Sequence, residues 1–423
     1  MKITWVNHAS YIIEAGDIKL ITDPWIQGRV FNESWSLLAE SKFRIEDYKD
    51  ITHIWFSHEH PDHFFPPNIL KIPTEYRSRI KILFQETIDN KVIEFCRKNN
   101  FTNIQELRPY KKHYLNKDTY IINASVKNDT DSWLYFKHKE ESFLNLNDCV
   151  IAEKKELKKI KSLIGVIDIL FTQFSFANWV GNKGDNFAKN KAAENKKIEY
   201  LNYTNYFQPK TVIPFASYVW FCHVDNYHMN KNSNKIADIH KLTIDNGFNC
   251  NVLYPGDIWD TNKKYNSKAS IEKYEIDYAD LEKRNLKNIK GANFSELMLS
   301  AEKFQQNSFI KNNKKRISKF PQFTAYLYDL EVSISFSFQN GLQKIHIMEQ
   351  SCDVRMSSCS LNYCFNFEWG FDTILIAGTY EKPENSNFQN FMEYQWIATL
   401  NNKGGRIGNR LEQGIKKLKE FIK

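Results

Sequence analysis

Residues 52–67 read THIWFSHEHPDHFFPP and place His58, His60, Asp62 and His63 within six positions, directly after a short apolar run. Donors two apart on an extended or turning segment can aim at one point, as His58 and His60 do here. Asp62 and His63 can turn toward a second point nearby. Four such side chains are hard to accommodate for structure alone, because every buried polar group needs a partner. The chain must therefore fold so that a strand opens at its end into a site for cations. Imidazole suits zinc, iron and manganese alike, and added carboxylates favour the harder ions.

The surrounding text supports such a scaffold. YIIEAG and IKLITDPW flank a Gly-Asp turn, a hairpin signal, and ITHIWFS is a short strand rich in β-branched and aromatic residues. A helix is predicted around IDNKVIEFCRKNN, where Ile88, Val92, Ile93 and Cys96 recur at near-helical spacing. Strands follow at TYIINASV, SWLYFK and SFLNLND. Helices EKKELKKIKSLIG, NKAAENKKIEYLNYTNYF and KIADIHKLTIDNG then alternate with strands VIDILFTQFS, KTVIPFAS and NVLYPGD. This order predicts helices packed outside a β-sandwich. Beyond about residue 265 two amphipathic stretches precede text that reads as short strands. VSISFSF alternates Val332, Ile334, Phe336 and Phe338 with serine, the period of a half-buried strand. KIHIMEQ, DVRMS, LNYCFNFEW and DTILIAGTYE read as further strands. The expected organisation is α+β, with a catalytic domain over residues 1–265 and a smaller α+β domain, helices then antiparallel strands, over 266–423.

The words HAS, TDPW, SHEHPDH and LNLNDC together resemble the metallo-β-lactamase superfamily, through roughly residues 1–260. The resemblance implies an αβ/βα sandwich with a dinuclear metal site at one edge. His58 and His60 would hold one ion, Asp62 and His63 the other, and Asp148 would bridge both. Asp23 would orient a ligand histidine from behind, fixing its tautomer. Two departures bear on the chemistry. Superfamily hydrolases carry a histidine in the loop before the strand matching SWLYFK, whereas this loop reads SVKNDTDSW. Either Asp129 or Asp131 supplies an oxygen donor there, or both cap a turn, a common use of Asp. The last ligand also differs: Ala216 stands where some members have histidine, which leaves His223 as the substitute and His228 as the reserve. PFASY, CH, LFTQFSFANW, NLNDC and WGFDTILIAGTYE are similar to the CMP-N-acetylneuraminate hydroxylase branch. That branch normally carries a Rieske cluster on Cys-x-His and Cys-x-x-His units, and this sequence contains neither.

These readings carry different chemistry. Two iron ions sharing Asp148, with mixed His and Asp ligands, suit an O2-dependent oxygenase or hydroxylase whose electrons come from an external donor or from the substrate. Two zinc or manganese ions suit a hydrolase of phosphodiesters, lactones or amides. A structural site beside a partner-binding C-terminal domain is the third reading. Asp62 and Asp148 are the carboxylates expected at the reacting centre, Glu59 is expected to point away into a supporting position, and His8 either sits in the core or faces the site. Phe64, Phe65, Trp179, Tyr218 and Trp220 are candidates to wall a pocket. The formal charge of +8 is scattered rather than striped, which argues against nucleic acid and fits a small polar or anionic substrate. No run of 18 apolar residues exists, so no membrane span is expected. The first residues carry no leader pattern and the seven cysteines form no Cys-x-x-Cys, so a cytoplasmic setting with buried thiols is expected.

Overall fold

The computed structural model describes residues 1–126 and 130–408. The chain divides into two compact units. The first comprises residues 1–177, 187–221 and 229–285; among the described residues the second comprises 178–186, 222–228 and 286–408.

Two seven-stranded sheets dominate the first unit. One runs, edge to edge, Ile258–Asp260, Lys2–Asn7, Ser10–Ala15, Ile18–Thr22, His53–Trp55, Lys81–Gln85 and Asn103–Leu107. The other runs Asn249–Cys250, Thr211–Phe215, Ile169–Gln173, Glu141–Asn145, Ser132–His138, Thr119–Ser125 and Lys112–Asn116. Both are mixed: hairpins pair antiparallel, and strands entered through helices pair parallel. The sheets meet through aromatic rings. Tyr11 stacks on Phe171 with centroids 4.4 Å apart and meets Phe143 and Phe215 edge-on at 5.8 and 5.4 Å. On the opposite face of the first sheet Val6, Ile12, Ile21 and Ile54 pack with Val92, Ile93 and Cys96 of the helix Lys91–Lys98. The second sheet is covered by helices Lys154–Ile164 and Asn186–Phe207 through Ile160, Ile164, Tyr203 and Phe207. Because both faces of the central strands are buried, those strands read as apolar runs rather than clean alternation, whereas the edge strands Asn103–Leu107 and Lys112–Asn116 are only partly buried. This is the sandwich with outer helices that the element order predicts.

Two readings within this unit change. NVLYPGD, residues 251–257, forms no strand: the two-residue strand Asn249–Cys250 ends just before it, Asn251 N bonds to Val212 O and Tyr254 N donates to Asp257. The helix Lys268–Asp280 follows residue 265, yet it belongs to the first unit. Its Tyr274 is fully buried, stacks on Tyr218 at 4.6 Å and donates its hydroxyl to Leu253 O.

In the second unit a five-stranded sheet runs Gly341–Ile345, Val332–Ser337, Phe323–Leu327, Val354–Met356 and Tyr380–Glu381. Its core includes Leu297, Phe323, Ile334, Phe336, Phe365, Phe371 and Tyr394. Ser333, Ser335 and Ser337 are buried as well, so the alternation in VSISFSF marks two covered faces, not one. LNYCFNFEW lies largely in the helix Ser358–Asn366 and the start of DTILIAGTYE in the helix Gly370–Ala377; only its end, Tyr380–Glu381, is a strand as expected. Local signals account for this. Ser357 caps the first helix by accepting from Ser360 N, and Gly378, at φ +69°, ends the second in the left-handed conformation. Cys352 and Cys364 are buried thiols there.

Candidate metal centre

The cluster forms where several strands of the first unit end. His53–Trp55 lies parallel between Ile18–Thr22 and Lys81–Gln85, and the motif leaves its C-terminal end. His63 N and Phe64 N both bond to His60 O, which curls the chain back, and Pro66 then starts the short helix Pro66–Ile69. Asn68 of that helix accepts from Ile26 N and Gln27 N, holding the loop that follows Asp23. Asp131 precedes Ser132–His138 and Asp148 follows Glu141–Asn145, an antiparallel pair whose register brings both to one edge.

Three groups of donors result, each with its ligand atoms within 4.8 Å of one another. His58, His60 and Asp131 form the first, with His58 Nε2 at 2.8 Å from His60 Nδ1 and 3.4 Å from Asp131 Oδ1. His8, Asp62 and His63 form the second, with Asp62 Oδ2 at 3.3 Å from His8 Nε2 and 3.4 Å from His63 Nε2. Asp148 stands between them in a third group with His58 and His63, its Oδ2 3.2 Å from His63 Nε2. Gln173, at the end of its strand, donates to Asp148 Oδ1 at 3.2 Å.

Behind the donors sits one carboxylate. Asp23 Oδ1 accepts from Ser57 N at 2.8 Å; Oδ2 accepts from Ser57 Oγ at 2.8 Å, Asn147 Nδ2 at 2.9 Å and His63 Nδ1 at 3.0 Å. Ser57 Oγ also lies 2.8 Å from His58 Nδ1. The chain His58 Nδ1–H to Ser57 Oγ–H to Asp23 therefore fixes the tautomer of His58, and a direct bond fixes that of His63. Both rings turn Nε2 to the cluster, the atom that can take an ion, at His63 in exchange for a proton. Ser57 O in turn accepts from Gln85 of the first sheet and Ser132 of the second. Four non-glycine residues around the cluster hold left-handed backbone: His8 at φ +26°, Asp23 at +36°, Ala216 at +44° and Asn147 at +52°. Strain of this kind persists only where surrounding contacts impose it; at His8 these include Ala216 N bonding to His8 O and Asn7 Oδ1 accepting His8 N.

Electrostatics point the same way. Burial, then the nearby His63 and His60, hold the His58 imidazole well below its ordinary value, so it is neutral. Burial also opposes a charge on His63, but Asp62, Asp148 and Asp23 together outweigh it and hold that ring well above its usual value. Burial would raise Asp62, yet His63 and His8 more than offset it and keep the carboxyl ionised. Without a cation, a proton on His63 is the positive charge that three carboxylates surround. Asp62 Oδ1, fully buried, has no hydrogen-bond partner among the described residues. A buried carboxylate with one oxygen short of donors, beside imidazoles whose Nε2 atoms face it, fits a divalent ion.

Of the expected site residues, His58, His60, Asp62, His63, Asp131 and Asp148 are brought together and Asp23 lies behind them. Asp129 falls outside the described residues. Glu59 is half-buried and belongs to none of the donor groups. His223 and His228 lie in the second unit. There Asp225 N donates to His223 Nδ1 at 3.2 Å, and burial lowers the pKa of that ring. The proposed aromatic wall is reassigned. Phe64 packs on Phe56 and Phe95, Tyr218 on Trp5 and Tyr274, and Trp179, in the second unit, stacks on Tyr380. Rings that do reach the donors are Phe31, 6.2 Å from His60, and Trp25, 5.7 Å from His8. Asn147 and Gln173 escaped sequence reasoning because each matters through a partner far along the chain, and Ser57 because its contact to His58 gains meaning only with Asp23 behind it.

Residues 2–133 match the family described as "Beta-lactamase superfamily domain". The chain is 26% identical over 259 residues to the cytidine monophosphate-N-acetylneuraminic acid hydroxylase of Danio rerio, covering 57% of this chain and 42% of that protein. It is 38% identical over 64 residues to a UPF0173 metal-dependent hydrolase of Chelativorans sp. (strain BNC1), covering 15% and 24%. Among solved structures it is similar to CmlA, a diiron β-hydroxylase from Streptomyces venezuelae, with a TM-score of 0.43, 14% identity and coverage of 61% of this chain and 53% of that one. The chain spans less than half the length of the hydroxylase relatives it matches. No helix among the described residues is long and apolar enough to cross a membrane.

Proposed function

From a chain whose residues 2–133 match the beta-lactamase superfamily domain, we propose that it is a dinuclear-iron, O2-dependent hydroxylase of a small polar or anionic molecule. One observation carries the reading: the first donor group is two histidines and a carboxylate, His58, His60 and Asp131, in place of three histidines. Two histidines and one carboxylate with open positions is the donor set of non-haem iron oxygenases, and oxygen-rich sites favour iron or manganese over zinc. The similarity to hydroxylases is in line with it.

When bound, the ion pair supplies O2 activation; the protein residues supply orientation, charge and dryness. Asp148 is placed to serve both positions and is steered by Gln173. Asp23 and Ser57 lock the rings of His58 and His63 with Nε2 presented. Trp25 and Phe31 border the donors and limit water. Hydroxylation puts one atom of O2 into a C–H bond and releases the other as water, which takes two electrons and two protons. An external electron donor is therefore part of the proposal.

Purification from iron-supplemented culture, metal analysis and O2 uptake test it. Iron near two equivalents and reductant-dependent O2 consumption are expected; stoichiometric zinc with neither iron nor O2 uptake refutes it. Hydrolysis is the second reading, favoured by the stretch 38% identical to a metal-dependent hydrolase. Turnover of phosphodiesters, lactones or amides by the zinc or manganese form, with no O2 uptake, would establish it.

A further inference from the structure

We infer that His8 is the third protein donor of the second cation position, so that His8, His63 and Asp62 repeat there the two-histidine, one-carboxylate set of His58, His60 and Asp131. The inference rests on the ion pair proposed above.

Geometry is the first argument. Donors about 2.1 Å from a shared ion lie about 3.4 Å apart along a tetrahedral edge and about 3.0 Å apart along an octahedral one. His8 Nε2 to Asp62 Oδ2 is 3.3 Å, and Asp62 Oδ2 to His63 Nε2 is 3.4 Å. One pair of the first position has the same spacing, His58 Nε2 to Asp131 Oδ1 at 3.4 Å, and the other, His58 Nε2 to His60 Nδ1, is 2.8 Å. The second argument is burial. His8, Asp62 and His63 are 1%, 3% and 0% exposed, so water does not replace a missing ligand. The third is the leftover valence. A simple hydrogen bond from His8 would serve one oxygen of Asp62 and leave Oδ1 buried without a partner, as it stands among the described residues. A cation held by His8, His63 and Asp62 Oδ2 would neutralise a carboxylate that the protein's hydrogen bonds leave incompletely paired. The fourth is backbone: His8 is held at φ +26°, a conformation a non-glycine residue keeps only under constraint.

One difference between the two positions has a measurable result. His58 and His63 each have Nδ1 held by Ser57 or Asp23, whereas His8 Nδ1 is buried with no partner among the described residues. The tautomer of His8 is thus set entirely at Nε2. Facing Asp62 alone, Nε2 carries the proton; facing a cation, it offers its lone pair and the proton sits on Nδ1 unaided. Ligand histidines lacking this outer support bind about 10–100-fold more weakly. His8 should therefore be the weaker of the two histidine donors to the second ion.

The test is metal stoichiometry by equilibrium dialysis against Co(II), read by elemental analysis and by the visible ligand-field spectrum, on the full chain. Wild type should take up two equivalents in two affinity steps. His8→Gln keeps an N–H for Asp62 but is a poor ligand. It should retain the first step unchanged and weaken the second at least 100-fold, as should His8→Ala. Normal two-step uptake and spectrum by His8→Gln overturns the inference, because a positioning role alone is rescued by glutamine. Loss of the second step in His223→Ala with His8→Gln unaffected also overturns it. If wild type takes up no cation, or only one, the ion pair itself fails, and the role of His8 with it.

Discussion

Replacing Asp23 by Asn tests the site with almost no change of volume. The carboxylate accepts four hydrogen bonds: from Ser57 N, Ser57 Oγ, Asn147 Nδ2 and His63 Nδ1. An amide has one acceptor oxygen and one NH2. With the NH2 at the Oδ2 position it meets three donors; turned over, it meets the Ser57 N–H. The better orientation therefore leaves one buried donor unpaired, which costs about 1–3 kcal/mol, and turns three charge-assisted bonds into neutral ones, each weaker by about 1 kcal/mol. The expected loss is about 4–6 kcal/mol of stability in chelator-treated protein, read from urea midpoints. Because His63 and His58 lose their fixed tautomer, affinity for the divalent ions should also drop about 10–100-fold, read by competition with a metal indicator. Asp245→Asn, which breaks an exposed pair with Lys241, is the control and should shift stability by under about 1 kcal/mol. Asp23→Asn protein with a stability within 1 kcal/mol of wild type and affinity within threefold would refute the arrangement described here.

Asp131→His should turn the first donor set into three histidines, raising the zinc-to-iron ratio of protein from mixed-metal medium by about tenfold or more, read by elemental analysis. Gln173→Leu frees Asp148 Oδ1 and should weaken ion binding by about tenfold while urea midpoints shift by less than about 1.5 kcal/mol. His53 is pulled down to about 4 from 6.5 by burial, then by Lys81. Its folded form therefore binds fewer protons than its unfolded form between those values, and stability falls as pH drops from 6.5 to 4. At about 1.4 kcal/mol per pH unit the window is worth about 3 kcal/mol; His53→Gln should flatten that part of the stability profile measured by denaturant titration.

How much was legible depended on range along the chain. His58, His60, Asp62 and His63 could be read because one short turn carries them, and the sandwich could be read because its helices and strands alternate in order. Asp148 and Asp131 followed only from resemblance, since nothing local distinguishes them from turn residues. His8 was left between core and site because its partner Asp62 lies 54 residues away. LNYCFNFEW and DTILIAGTYE read as strands because β-branched and aromatic residues outweighed the capping Ser357 and the terminating Gly378. The serines of VSISFSF carry the pattern of a wet face although both faces are covered, since a small hydroxyl is buried at little cost once bonded, as Ser333 is to Ile347 O.

Ser57 joins the two sheets through Gln85 and Ser132, and Asn147 reaches across to Asp23. The seam of the sandwich and the cradle of the ions are thus the same atoms. By mass action, a ligand that recognises only the assembled seam raises the unfolding free energy of the whole unit, by about 4 kcal/mol at a thousandfold excess over its dissociation constant. Melting temperature should therefore rise with free metal concentration, making heat resistance a direct gauge of occupancy even before any substrate is known.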